Sequence, residues 1–76
     1  MALVTKLEPV EKERPTIHAP VRCGYTAFTG SDGKRHLQLD TFGSLTRQMV
    51  GSASQSIQLN AASAAQLKRL IEKKFS

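Results

Sequence analysis

Cysteine is nearly absent from this chain, and its scarcity excludes two common ways of holding a small domain together. Cys23 is the only one in 76 residues, so neither an internal disulfide nor a multi-cysteine zinc cage can form. A lone thiol suits a reducing compartment, and Cys23 reads most simply as a small buried apolar residue on a strand. Paired metal ligands are missing too: His18 and His36 lie in different segments, and no H-x-x-x-H or C-x-x-C spacing occurs. Long apolar runs are also lacking. The first nine residues hold no stretch of signal-peptide length, and nothing approaches the roughly 18 apolar residues of a membrane span. A cytoplasmic protein without membrane contact is expected.

Catalytic groupings are equally sparse. Gly30-Ser31-Asp32-Gly33 is not a phosphate loop, because no G-x-x-x-x-G-K-[ST] leads from a strand into a helix. Asp40 and His36 fall on one strand face with Ser44 or Ser54 in reach. A Ser/His/Asp site also needs an oxyanion hole and a pocket, which a sheet with one covering helix does not offer. The expectation is a protein that is not an enzyme and takes no cofactor and no metal.

What remains is basic charge and a strand-rich pattern. Seventy-six residues suffice for one domain, whose core is thin enough that pairing with a second copy is a common remedy. The net charge of +5 is not spread evenly. Lys6, Lys12 and Arg14 are offset by Glu8, Glu11 and Glu13, so residues 1–20 are neutral. The excess falls on Arg22, Lys34, Arg35, Arg47, Lys68, Arg69, Lys73 and Lys74, as a domain that meets a polyanion requires.

Residues 1–20 form an N-terminal arm, extended or disordered, punctuated by Pro9, Pro15 and Pro20. Leu3, Val4 and Leu7 equip it to dock as an extra edge strand. Residues 21–76 form the domain. Residues 21–28 alternate as a strand, with Val21, Cys23, Tyr25 and Ala27 on one face and Arg22, Thr26 and Phe28 on the other. Tyr25 has two placements, because Gly24 permits a bulge that would turn it outward. Asp32-Gly33 marks a hairpin turn. Residues 35–42 form the next strand, with Leu37 and Leu39 inward and His36, Gln38, Asp40 and Phe42 outward. Residues 45–50 are a candidate third, short strand. Residues 54–59 form the last, with Ile57 and Leu59 inward and Ser54, Ser56 and Gln58 outward. Asn60 is a good N-cap for a helix over residues 61–75, whose stripe of Ala64, Leu67, Leu70, Ile71 and Phe75 faces the sheet. The expected fold is α+β: an antiparallel β-meander of three to four strands covered by one C-terminal helix, with Leu67, Ile71 and Phe75 packed on Leu37, Leu39, Ile57 and Leu59.

The uncovered face of that sheet carries the chemistry. Phe28 and Phe42 can stack unpaired bases, Gln38 and His36 can hydrogen-bond base edges, and Arg22, Lys34, Arg35 and Arg47 can track phosphates from the margins. The plainer alternative is a solvated polar face, with the phenylalanines sealing the core edge or a dimer contact.

The stretch Gly51-Ser52-Ala53-Ser54-Gln55-Ser56-Ile57-Gln58-Leu59-Asn60, running on into Ala64 and Leu67, together with Leu37-Gln38-Leu39-Asp40-Thr41-Phe42, resembles the single-stranded-DNA-binding domains of the transcriptional coactivator family known as positive cofactor four. More loosely, it is similar to the Pur-alpha family. The resemblance implies a homodimer built around the helices, nucleic acid lying across the strands, and a role in transcription regulation. Phe28 and Phe42 fall where the family places strand aromatics. Asp40 and Gln55 fall where it tends to have basic residues, and an aspartate on that face repels phosphate. Two functions follow as expectations. One is a homodimeric, largely sequence-tolerant binder of single-stranded DNA or RNA. The other is a protein-interaction module, an accessory or inhibitory subunit of a larger nucleic-acid-processing complex that engages its partner through the arm.

Overall fold

The computed structural model describes residues 1–43 and 54–75. The elements are β1 (Ala2–Val4), β2 (Arg22–Thr29), β3 (Arg35–Phe42), β4 (Gln55–Leu59) and α1 (Ala61–Lys74). The fold is α+β, a four-stranded sheet with one C-terminal helix. β2, β3 and β4 run antiparallel in succession, as the alternating pattern requires. The sheet is nevertheless mixed rather than a pure meander, since its order is β1-β4-β3-β2 and β1 lies parallel to β4. No short hairpin joins β1 to a neighbour, so nothing obliges it to run antiparallel. Residues 5–21 are long enough to carry the chain from β1 at one edge to β2 at the other. The candidate strand over residues 45–50 lies outside the described residues.

The hairpin between β2 and β3 is closed by Gly30 N–H donating to the Lys34 carbonyl at 2.8 Å and Gly33 N–H donating to the Gly30 carbonyl at 3.0 Å. Gly33 has φ +78°, a conformation that a side chain would oppose. No bulge forms at Gly24, which pairs in register with Asp40. Tyr25 therefore stays opposite Leu39 on the leucine face, where it is nonetheless exposed, and Cys23, expected to be buried on that face, is exposed too because the helix does not pack on β2.

α1 begins at Asn60 with a full capping box. The Asn60 Oδ1 accepts from Ser63 N–H at 2.9 Å, and the Ser63 Oγ accepts from Asn60 N–H at 3.0 Å. Ser63, fully buried, also donates to the Val4 carbonyl at 2.7 Å, tying the helix start to β1. One turn on, the Gln66 amide clasps the arm, donating to the Leu7 carbonyl at 2.7 Å and accepting from Leu7 N–H at 2.9 Å. Residues 10–20 are exposed throughout.

The helix covers less of the sheet than its stripe promises. Its packing on the sheet is chiefly against β3 and β4, and Leu59 is the one buried hydrophobic among the described residues. Leu67, Ala64 and Ile71 face Leu37 and Leu59 across an open cleft of about 470 Å³. Ile57 is 41% exposed, Ile71 47% and Phe75 84%, so the expected packing of Ile71 and Phe75 on Ile57 does not form within one chain. Two causes are visible. Phe75 is already the C-cap, past the last helical turn, and β2 lies beyond the helix's reach.

Candidate nucleic-acid interface

Strand register assigns each paired strand residue to a face. Cys23, Tyr25 and Ala27 lie with Leu37, Leu39, Ile57 and Leu59 on the helix side. Arg22, Thr26, Phe28, His36, Gln38, Asp40, Phe42, Ser56 and Gln58 share the other side, which no helix covers. Leu3 of β1, in register with Gln58, joins them. Sequence reasoning did not place Leu3 here, because a three-residue strand is too short to show alternation.

Two aromatic posts stand at opposite ends of this face. At the hairpin end Phe28 and His36 are cross-strand partners with ring centroids 5.6 Å apart. The His36 Nε2 lies 3.1 Å from the Asp32 Oδ2, and since a carboxylate only accepts, that nitrogen carries a proton. Its Nδ1 is buried without a hydrogen-bond partner. Asp32 also accepts from Lys34 N–H at 3.0 Å. That backbone bond first, and the His36 bond second, hold its carboxyl below the usual carboxylate range. Asp32 was legible only as a turn residue, and its part in fixing the histidine shows up once the turn folds back.

At the far end Phe42 and Arg22 are cross-strand partners, with the guanidinium carbon 5.9 Å from the ring centroid. Phe42 lies over Gly24, where an added Cβ would come within 3.3 Å of the ring. About six residues of β3 separate the two posts, roughly 20 Å of strand.

Between them runs a polar row. Gln58 donates to the Gln38 Oε1 at 2.9 Å, Gln38 donates to the Asp40 Oδ1 at 2.9 Å, and Ser56 donates to the same Asp40 oxygen. The Ser56 bond, then the Gln38 bond, lower the Asp40 carboxyl below its ordinary range, so Asp40 is a firmly ionised acceptor. Gln38, Ser56 and Gln58 line a shallow cleft of about 250 Å³ with Met1, Ala2 and Leu3.

The expected basic margin is only partly assembled. Arg22 is on the face, and Lys34 sits in the turn at the opposite end. Arg35 does not flank the face: it is in register with Thr29, one residue out of step with His36, and it donates to the Thr29 hydroxyl at 3.2 Å on the leucine side. Arg47 lies outside the described residues. Ser54 also leaves the expected face. β4 starts only at Gln55, and the Ser54 hydroxyl pairs instead with the Thr41 hydroxyl at 3.0 Å.

Among the described residues no cluster of three His, Cys, Asp or Glu side chains could hold a metal ion, and no helix is long and apolar enough to cross a membrane. Protein-family models, curated proteins and solved structures return no match to the chain.

Proposed function

We propose that this protein binds single-stranded DNA or RNA across the uncovered face of its sheet, and does so as a homodimer. The observation that carries the reading is the layout of that face. Two aromatic posts flank a row of hydrogen-bonding side chains, on the side of the sheet that no helix covers. A base stacked on a ring or on a guanidinium plane contributes roughly 1–3 kcal/mol whatever its identity. Arg22 and Lys34 place cations at both ends of the track. The dimer is argued from the opposite face. Tyr25, Ile57, Ile71 and Phe75 are exposed there, and a chain with so little buried apolar surface gains most from covering them with a second copy. The resemblance to the positive cofactor four family points the same way and extends the proposal to transcription regulation.

The test is fluorescence anisotropy of a labelled oligonucleotide at two salt concentrations. Binding should weaken with salt, the logarithmic slope being about −0.7 per phosphate neutralised on a single strand. No binding at low salt overturns the reading. One observation favours the rival, an accessory subunit recognising a protein: the cations do not converge, with Arg22 and Lys34 at opposite ends and Arg35 on the leucine side. A stoichiometric partner recovered after nuclease treatment, with no oligonucleotide binding, would decide for it.

A further inference from the structure

The direction of every hydrogen bond in the polar row follows from one residue. Asp40 is an ionised carboxylate, which can only accept. Gln38 must therefore present its Nε2 to Asp40, and this turns its Oε1 toward β4. Gln58 must in turn present its own Nε2 to that oxygen, so its Oε1 is directed away from Gln38. Ser56 commits its single proton to Asp40, leaving only lone pairs for anything else. The amide orientations are thus dictated by charge through two cross-strand pairs, Gln38 with Gln58 and Asp40 with Ser56. The row that results is biased toward acceptors: the Asp40 carboxylate, the Ser56 oxygen and the Gln58 Oε1. Against them stand only the second N–H of each glutamine.

An unpaired base laid on this row meets that bias: the cleft beside Leu3 presents Gln38, Ser56 and Gln58, and Asp40 adjoins it through its bonds from Gln38 and Ser56. Cytosine and adenine present an exocyclic amine beside a ring-nitrogen acceptor, and guanine presents an amine beside a ring N–H. All three can donate into an acceptor-rich row. Uracil and thymine offer a single ring N–H flanked on both sides by carbonyl oxygens, so a carboxylate that accepts from it also meets carbonyl lone pairs. We infer that the Gln58–Gln38–Asp40–Ser56 row selects bases that carry an exocyclic amine and rejects uracil and thymine, with Asp40 setting the preference. The inference rests on the proposed nucleic-acid reading and departs from its sequence tolerance. It also gives Asp40 a task. The carboxylate that repels phosphate from this face is the group that would accept a proton from cytosine N4, a pairing that acidic side chains make with this base in general.

The cleanest probe pair is oligodeoxycytidine against oligodeoxyuridine of equal length. The two bases have the same ring and no methyl group, and differ in the amine or carbonyl at position 4 and the proton at N3. Anisotropy titrations of the intact protein at pH 7.5 and low salt should show cytidine bound about tenfold tighter, within the range of one good base contact. In Asp40→Asn the side chain keeps its shape but can donate as well as accept, so the row loses its direction and its charge. Uridine binding should then tighten and the ratio should fall to about twofold or less, with an unchanged circular dichroism spectrum confirming the fold. A wild-type ratio within twofold overturns the inference without any variant, and so does a tenfold ratio that survives Asp40→Asn. If neither oligonucleotide binds at low salt, the nucleic-acid reading itself falls.

Discussion

Ser63→Ala is the most demanding test of the fold that carries the proposed site. The Ser63 hydroxyl is fully buried and joins three parts of the chain: it donates to the Val4 carbonyl at 2.7 Å and accepts from Asn60 N–H at 3.0 Å, while its own backbone N–H is held by the Asn60 side chain. Alanine removes one oxygen and takes a hydrogen bond from two backbone groups, the Val4 carbonyl and the Asn60 N–H. A buried polar group left unsatisfied costs about 1–3 kcal/mol. Both sit at the junction of β1 and α1, so the expected loss is about 2–4 kcal/mol. Asn60→Ala makes the natural comparison. It removes the conventional half of the capping box, at about 1 kcal/mol, and leaves the link to β1 intact. Ser63→Ala should therefore be the more damaging change, although it alters the smaller side chain. Urea denaturation at fixed protein concentration gives both values, and the thermal midpoint should fall by roughly 4–8 °C per kcal/mol for a domain of this size. Hydrogen exchange adds a local readout, since the amides that β1 and β4 share should lose protection in Ser63→Ala and keep it in Asn60→Ala. A loss below about 0.5 kcal/mol, or an order reversed between the two variants, would refute the claim that this hydroxyl fastens β1 to the helix.

Three further outcomes are expected. Phe42→Ala should weaken oligonucleotide binding by about 1–3 kcal/mol, roughly fivefold to 150-fold in Kd, and an unchanged anisotropy titration would remove Phe42 from the interface. Asp32 has a depressed folded-state pKa, so its stabilising contribution is fully present above its ordinary value of 3.8 and is lost as pH falls through the lowered one. Thermal midpoints measured from pH 5 down to pH 2 should show this loss in the wild type and a flatter profile in Asp32→Asn, and parallel profiles would rule it out. Ile71→Asp puts a charge on the open apolar side of α1, where it should dissociate the proposed dimer in sedimentation velocity while the fold persists. A wild-type chain already monomeric at micromolar concentration would contradict the homodimer.

Much of this architecture is legible before any coordinates, for a local reason. Alternation in residues 35–42 and the pair Ile57 and Leu59 state which face each side chain takes, and the register agrees for Cys23, Thr26, Ala27 and Phe28 and settles Tyr25, which had two placements, on the leucine face. The cap is legible because Asn60 directly precedes a run of helix formers, and its partner Ser63 is only three residues away. The misplacements have a common origin in nonlocal geometry. β1 is three residues long and pairs with a strand more than fifty positions away, so it carries no period of its own. Arg35 was expected at the margin of the uncovered face, whereas alternation runs unbroken back to the turn and sets it beside Leu37 on the leucine side. The coverage of the leucine face depends on how far a fourteen-residue helix extends across four strands, which its stripe does not report. Asp40 was legible only as an unfavourable charge, since Ser56 reaches it from sixteen residues away.

The polar row and the aromatic posts differ in how firmly they are held, and this bears on which of them can discriminate. Gln38, Asp40, Ser56 and Gln58 all belong to β3 and β4. These two interior strands are paired on both sides and are the ones that α1 backs from the far face. Their side chains are locked to one another by directed hydrogen bonds, so a base meets donors and acceptors already in place. Preorganisation of this kind lowers the ordering cost of binding and penalises a mismatched base, because a group that cannot turn cannot adapt. The posts draw Phe28 and Arg22 from β2, the exposed edge strand that the helix does not reach. A ring there can follow whichever base arrives, and stacking needs no more than that. On this reading the directed row supplies base preference, while the posts, which His36 and Phe42 of β3 complete, supply affinity. The proposed second copy on the leucine face would then act on the opposite side as well: supporting β2 from behind would hold Phe28 and Arg22 in place without constraining which base they accept.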